Sequence, residues 1–102
     1  MIDFSQLDKV IHEKGRLSIM TLLTARSPRA FQDLKAELGM SDGNLVTHLR
    51  TLSKEGYVRE LKSTAVDSGR SLTTYEVTGA GKGAFKAYLN VLEAIVKASK
   101  PG

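Results

Sequence analysis

Leu45, Leu49 and Leu52 fall at i, i+4 and i+7, one stripe of a helix. The direction opposite that stripe holds Gly43, Thr47, Arg50 and Lys54, flanked by Val46 and Thr51, with Asn44 and His48 toward one edge. A face that only meets water is richer in Glu and Lys, which favour helix and solubility. Here it is a mixed set of short donors, acceptors and cations, as suits contact with another surface. Just upstream, Phe31, Leu34 and Leu38 form a second stripe, closed by Gly39 where a helix C-cap favours positive φ. Ser41 then reads as an N-cap, with Asp42 in a first turn where the helix dipole favours a carboxylate.

The two stripes are joined by a turn of about three residues containing Gly, the spacing of a helix-turn-helix. Before them, RLSIMTLLTA (16–25) is apolar on nearly all sides and is expected to be a central buried helix. Leu7, Val10 and Ile11 suggest a short N-terminal helix ending near Gly15, because glycine costs about 1 kcal/mol in a helix interior. After Gly56 come two β-prone runs, YVRELKS and SLTTYEVT, separated by the polar loop TAVDSGR, which together predict a hairpin over about 57–78. Thr78 caps a last helix over about 79–98, where Phe85, Tyr88, Leu89, Leu92, Ile95 and Val96 repeat at three and four. No repeat, linker or low-complexity stretch divides the chain, so a single domain over residues 1–102 is expected.

Composition narrows the chemistry. Zero cysteines exclude disulfides and every thiolate site, and no apolar run is long enough to span a bilayer. A cytoplasmic protein without cofactors is the expectation. The net charge of +4 suits a polyanionic partner, but most of the excess lies at the C-terminus, where Lys82, Lys86, Lys97 and Lys100 oppose only Glu93. Charge alone is therefore a weak pointer to nucleic acid. TGAGKG (78–83) fails the phosphate-loop pattern twice, with Glu76 at the first glycine position and Gly83 in place of Ser or Thr. A permissive strand-to-helix junction explains it better. No catalytic set of side chains stands out, so no enzyme is expected.

The order helix, helix, short turn, helix, hairpin, helix is the winged-helix arrangement. LGMSDGNLVTHLRTLSKEGYV followed by TTYEVTGAGKGAF closely resembles small single-domain regulators of the MarR/ArsR type, and the resemblance runs over essentially the whole chain, including LDKVIHEKGRLSIMTLL. It implies a mainly α fold with a small β-hairpin wing (α+β), a long C-terminal dimerisation helix, and a homodimer that binds double-stranded DNA to regulate transcription. Repression is the family habit rather than a reading of any residue.

On this view the recognition helix spans about 41–55 and presents Ser41, Gly43, Asn44, Thr47, Arg50, Thr51 and Lys54 to DNA. Arg50 suits guanine O6 and N7, and Gly43 permits close backbone approach. His48 is open between a phosphate contact and a neutral, hydrogen-bonded place at the helix–helix boundary. In the wing, Arg70, with Asp67 against it, and Lys62 are candidate DNA contacts, although such wings often carry more basic residues. Dimerisation is expected through Tyr88, Leu89, Leu92, Ile95 and Val96, met by Phe4, Leu7 and Ile11, with Ile2 beside them. Metal-sensing relatives carry ligand pairs on the terminal helix, where this chain offers only Glu93; His12 is read as structural or solvent-exposed, and no metal site is expected. The rival reading is a winged-helix protein-docking module without DNA binding. RNA ranks lower, because no aromatic platform is visible.

Overall fold

Ile19, Met20 and Leu23 are fully excluded from solvent on one face of helix α1 (Lys14–Ala25), around which the other elements pack. In the computed structural model, residues 3–64 and 67–100 are described; Ile2 lies outside them. α1 is less wrapped than its composition suggests, because Thr21 and Thr24 face solvent. The hydroxyls of Ser18 and Thr21 donate to the carbonyls of Lys14 and Leu17, which satisfies this polar side within the helix.

The expected N-terminal helix does not form. Asp8 accepts from the amides of Val10 (2.8 Å) and Ile11 (3.1 Å), and this local turn competes with helical bonding. α1 starts at Lys14, capped by the Glu13 carboxylate accepting from the Arg16 amide at 2.8 Å. Gly15 therefore sits inside the first turn of α1 rather than ending a helix. Ile11 (0% exposed) and Leu7 (9%) are core residues of their own chain, which corrects their placement on a dimer surface.

A two-residue strand, β1 (Arg29–Ala30), leads into α2 (Phe31–Leu38), which ends on Gly39 at φ 64°. α3 (Asp42–Lys54) follows, with the Ser41 hydroxyl accepting from the Asn44 amide at 3.2 Å. Leu45, Leu49 and Leu52 are buried as the stripe requires. β2 (Val58–Thr64) and β3 (Ser71–Val77) form the hairpin, and β1 adds to β3, giving an antiparallel sheet of order β1-β3-β2. β1 is too short to show alternation, so pattern alone does not find it.

α4 (Gly79–Ser99) starts on a tight seat. The Thr78 hydroxyl accepts from the Gly81 amide (3.0 Å) and donates to the Gly56 carbonyl (2.6 Å), while the Thr78 amide donates to the Tyr57 carbonyl (3.0 Å). Phe85 and Tyr88 are buried against the core. Beyond them Leu92 and Ile95 are only half-buried, and Leu89 and Val96 are exposed. The helix is about 30 Å long at 1.5 Å per residue, and the molecule measures 60 × 26 × 21 Å. Three hydrogen bonds tie down the described N-terminal segment: Tyr57 donates from its phenol to Asp8 Oδ2 (2.5 Å), Arg16 Nε donates to the Val10 carbonyl (2.6 Å), and His12 Nδ1 lies 2.8 Å from the Tyr88 hydroxyl. The hydrogen bond to Asp8, aided by burial, pushes the Tyr57 phenol up to about 12. The whole is the α+β winged-helix architecture, with four helices and a three-stranded sheet with a hairpin wing among the described residues.

Candidate nucleic-acid interface

With its leucines turned inward, α3 presents Gly43, Asn44, Thr47, Arg50 and Lys54 to solvent. Periodicity places these residues on the outer face but leaves open which flank of the helix looks at which neighbour. Packing decides it. His48 and Thr51, both half-buried, lie on one flank, where His48 meets α1. Val46, Arg50 and Ser53 lie on the other, bordering a groove of about 520 Å³ whose far wall is the inner face of the hairpin.

The hydroxyls of this helix are partly engaged. Thr47 donates to the Gly43 carbonyl at 2.9 Å, and Thr51 donates to the Thr47 carbonyl at 3.1 Å. Ser41 uses its oxygen as an acceptor for the cap, which leaves its proton available for an anion at the N-terminus of α3. A Cβ added at Gly43 would meet nothing within 4 Å, so the space above that turn is open to a large partner.

His48 sits at the helix–helix boundary. Its Nδ1 is 3.6 Å from Glu13 Oε1 and 3.5 Å from Arg16 Nη1, with its ring pressed against Gly15. Burial works against ionisation of Glu13, but amide hydrogen bonds from Arg16 and Gly15 and the charges of His48 and Arg16 hold its carboxyl below the usual range. His48 thus fills the boundary between α1 and α3.

Charges around the face are largely matched. Lys35 pairs with Asp42 at 2.8 Å, Lys62 lies 3.5 Å from Glu60, and Arg59 is paired with Glu76 across the hairpin. Among the described residues, neither Arg50 nor Lys54 meets a carboxylate. Arg70 and Asp67 are both exposed in the loop between β2 and β3. Lys62 stands on the hairpin face that looks toward α3, in register with Thr73.

Two groups in this groove carry no role in the sequence reading. Glu60 shares the inner pleat with Val58 and Lys62, and its Oε2 accepts from the Tyr75 hydroxyl at 3.1 Å. Burial first, and then the Glu60 charge, pushes the Tyr75 phenol up to about 12, so it stays a neutral donor. Counting by two from buried Val58 would have placed Glu60 here. The second is Val46, exposed on the flank facing the wing.

The expected dimer residues divide in two. Leu7, Ile11 and Tyr88 are covered by their own chain, Tyr88 at 2% exposure because α4 turns its ring toward His12. Phe4, Leu89 and Val96 are exposed, and Leu92 and Ile95 lie half-buried between them. Among the described residues no cluster of His, Asp or Glu comes together that is able to hold a metal ion, and no helix is long and apolar enough to cross a membrane.

A family described as "winged helix DNA-binding domain" matches residues 16–96. An uncharacterised protein of Methanocaldococcus jannaschii is 37% identical over 81 residues, covering 79% of this chain and 86% of that protein. Among solved structures, a transcriptional regulator homologue from Pyrococcus horikoshii superposes with a TM-score of 0.81 at 29% identity, covering 90% of this chain and 89% of the other. A protein described as a MarR-family transcriptional regulator from Enterococcus faecalis shares the fold at a TM-score of 0.74 and 21% identity, over 88% and 79% of the two chains.

Proposed function

The chain belongs to the winged-helix DNA-binding domain family and is a DNA-binding regulator of transcription; from that premise we propose that it acts as a homodimeric repressor, with α3 as the recognition helix in the major groove. The observation that carries this reading is the outer face of α3. Arg50, Thr47 and Gly43 are exposed there, no carboxylate among the described residues pairs with Arg50, and the space above Gly43 is open. Arg50 supplies a forked donor for guanine O6 and N7. Ser41 and the N-terminus of α3 suit a phosphate, as does Lys54 at the far end of the helix. The hairpin is the wing, with Arg70 and Lys62 near the neighbouring backbone or minor groove. Two copies related by a two-fold axis read an inverted repeat, with half-sites one or two helical turns apart. Promoter occlusion is the simplest way for such a dimer to repress.

The test is selection from random duplex DNA, followed by electrophoretic shifts over a range of salt. Specific binding should weaken with a log–log slope of about −0.9 per neutralised phosphate. Were no duplex enriched at moderate salt, the same face would be a protein-docking surface, for which the Glu60 carboxylate in the groove is the observation that speaks.

Arg50→Ala and Thr47→Ala separate folding from recognition. Both side chains are exposed, so thermal or urea unfolding should change by no more than about 0.5 kcal/mol. Binding to the selected duplex should lose about 1–3 kcal/mol, with selectivity relaxed at one base position. Unchanged affinity and selectivity in Arg50→Ala would mean that another face of α3 meets DNA. Arg70→Ala should behave differently, weakening all duplexes alike and lowering the salt slope by about one unit. A slope equal to that of the parent protein would remove Arg70 from the interface.

A further inference from the structure

Val46 is 37% exposed on α3, a β-branched apolar residue beside the polar face, where it gains nothing for helix formation. A single exposed valine needs no explanation by itself. Its position supplies one. It lies in the N-terminal half of α3, the part of a recognition helix that reaches base edges. One turn before it, Gly43 leaves open space; one turn after it, Arg50 carries the exposed guanidinium. On its free side Val46 borders the two grooves, of about 520 and 480 Å³, that separate α3 from the hairpin, so its methyls look into open volume rather than into the core.

The major groove offers such a side chain one methyl group, the C5-methyl of thymine; the other features that distinguish the base pairs there are hydrogen-bond donors and acceptors. We infer that Val46 is a specificity-determining residue that reads a thymine methyl in each half-site. This rests on α3 being the recognition helix. Val46 and Arg50 are four residues apart, about 6 Å along the helix, and base pairs are spaced by about 3.4 Å. The thymine therefore lies within about two base pairs of the position whose selectivity depends on Arg50. A protein partner for this valine is the competing occupant, and the same experiment separates the two.

The selected duplex is resynthesised with deoxyuridine in place of each thymine in turn, which removes the methyl and leaves pairing intact. Binding of the parent protein and of Val46→Ala is measured on every duplex. Alanine is the better helix former and Val46 is exposed, so the variant should fold as the parent does. One deoxyuridine position per half-site should weaken the parent protein about fourfold, the worth of burying one methyl-sized group. The same change should leave Val46→Ala unaffected, and the variant, altered in both half-sites, should bind the thymine duplex about as weakly as the parent binds a duplex carrying deoxyuridine at that position in both half-sites. Deoxyuridine effects equal in the two proteins, or absent from both, would overturn the assignment of Val46 while leaving α3 as the recognition helix. Absence of any selected duplex would overturn both.

Discussion

The double variant Leu89→Glu, Val96→Glu is expected to sediment as a folded monomer and to bind its operator about 10²–10⁴ times more weakly than the parent protein, the usual worth of joining two binding modules. The expectation starts from where α4 stops being covered. Phe85 and Tyr88 anchor its first half in the core, but the helix continues for three more turns, with Leu92 and Ile95 half-buried and Leu89 and Val96 exposed at 45% and 47%. Leu89 and Val96 are seven residues apart, two turns along one side, and Phe4 at 60% exposure adds a further uncovered aromatic ring. In the homodimer proposed above, a second copy packed against this stripe would remove it from solvent. Two carboxylates placed there would be desolvated without partners in a dimer, at a cost of several kcal/mol per ion. In a monomer they would stand in water on a helix that glutamate favours. Melting of the variant should therefore lose its dependence on protein concentration while the circular dichroism spectrum stays that of the parent. A parent protein that is already monomeric in sedimentation at micromolar concentration would sink the dimer and this prediction with it.

Gly81→Ala should destabilise the domain by about 3 kcal/mol, the upper part of the usual overpacking range. An added Cβ would lie 2.1 Å from the Tyr57 carbonyl oxygen and 2.9 Å from the Val77 Cγ2. Neither neighbour gives way easily: that oxygen accepts from the Thr78 amide at 3.0 Å, and Val77 is buried at the end of β3. Alanine is otherwise the better helix residue by about 1 kcal/mol, so a loss has to come from the clash. Gly83→Ala provides the opposite sign, because its Cβ meets nothing within 4 Å in the same helix. At about 4–8 °C per kcal/mol for a domain of this size, the first variant should melt more than about 10 °C below the second at equal protein concentration. Coincident melting curves would refute the close seat of α4 on the turn after α3.

Elements that rest on local pattern were legible before any coordinates. The leucine stripe of α3, the Ser41 cap, the left-handed Gly39, the hairpin and the Thr78 cap each follow from residues within one or two turns. What escaped depends on neighbours distant in sequence. β1 exists only because β3 offers its edge to Arg29 and Ala30. The N-terminal apolar residues satisfied a helical period, yet the Asp8 side chain took over their amides, and the core rather than a partner took Leu7 and Ile11. On α3 the outward residues were readable, but not which flank faces the wing. That ambiguity is why Val46 carries no role in the sequence reading, why Glu60 is missing from it, and why His48 stays open there between two roles.

The contact between Gly15 and His48 also limits how this lineage is able to change. A Cβ at position 15 would fall 2.6 Å from His48 Nε2, so the two positions, more than thirty residues apart, share one volume. A side chain at 15 would push the His48 ring away from Glu13 and Arg16, or favour a smaller residue at 48. Among related sequences the pair should covary, with glycine opposite a ring and larger residues opposite smaller ones. The contact of α3 with the start of α1 is then set by a pair of residues rather than by either one alone.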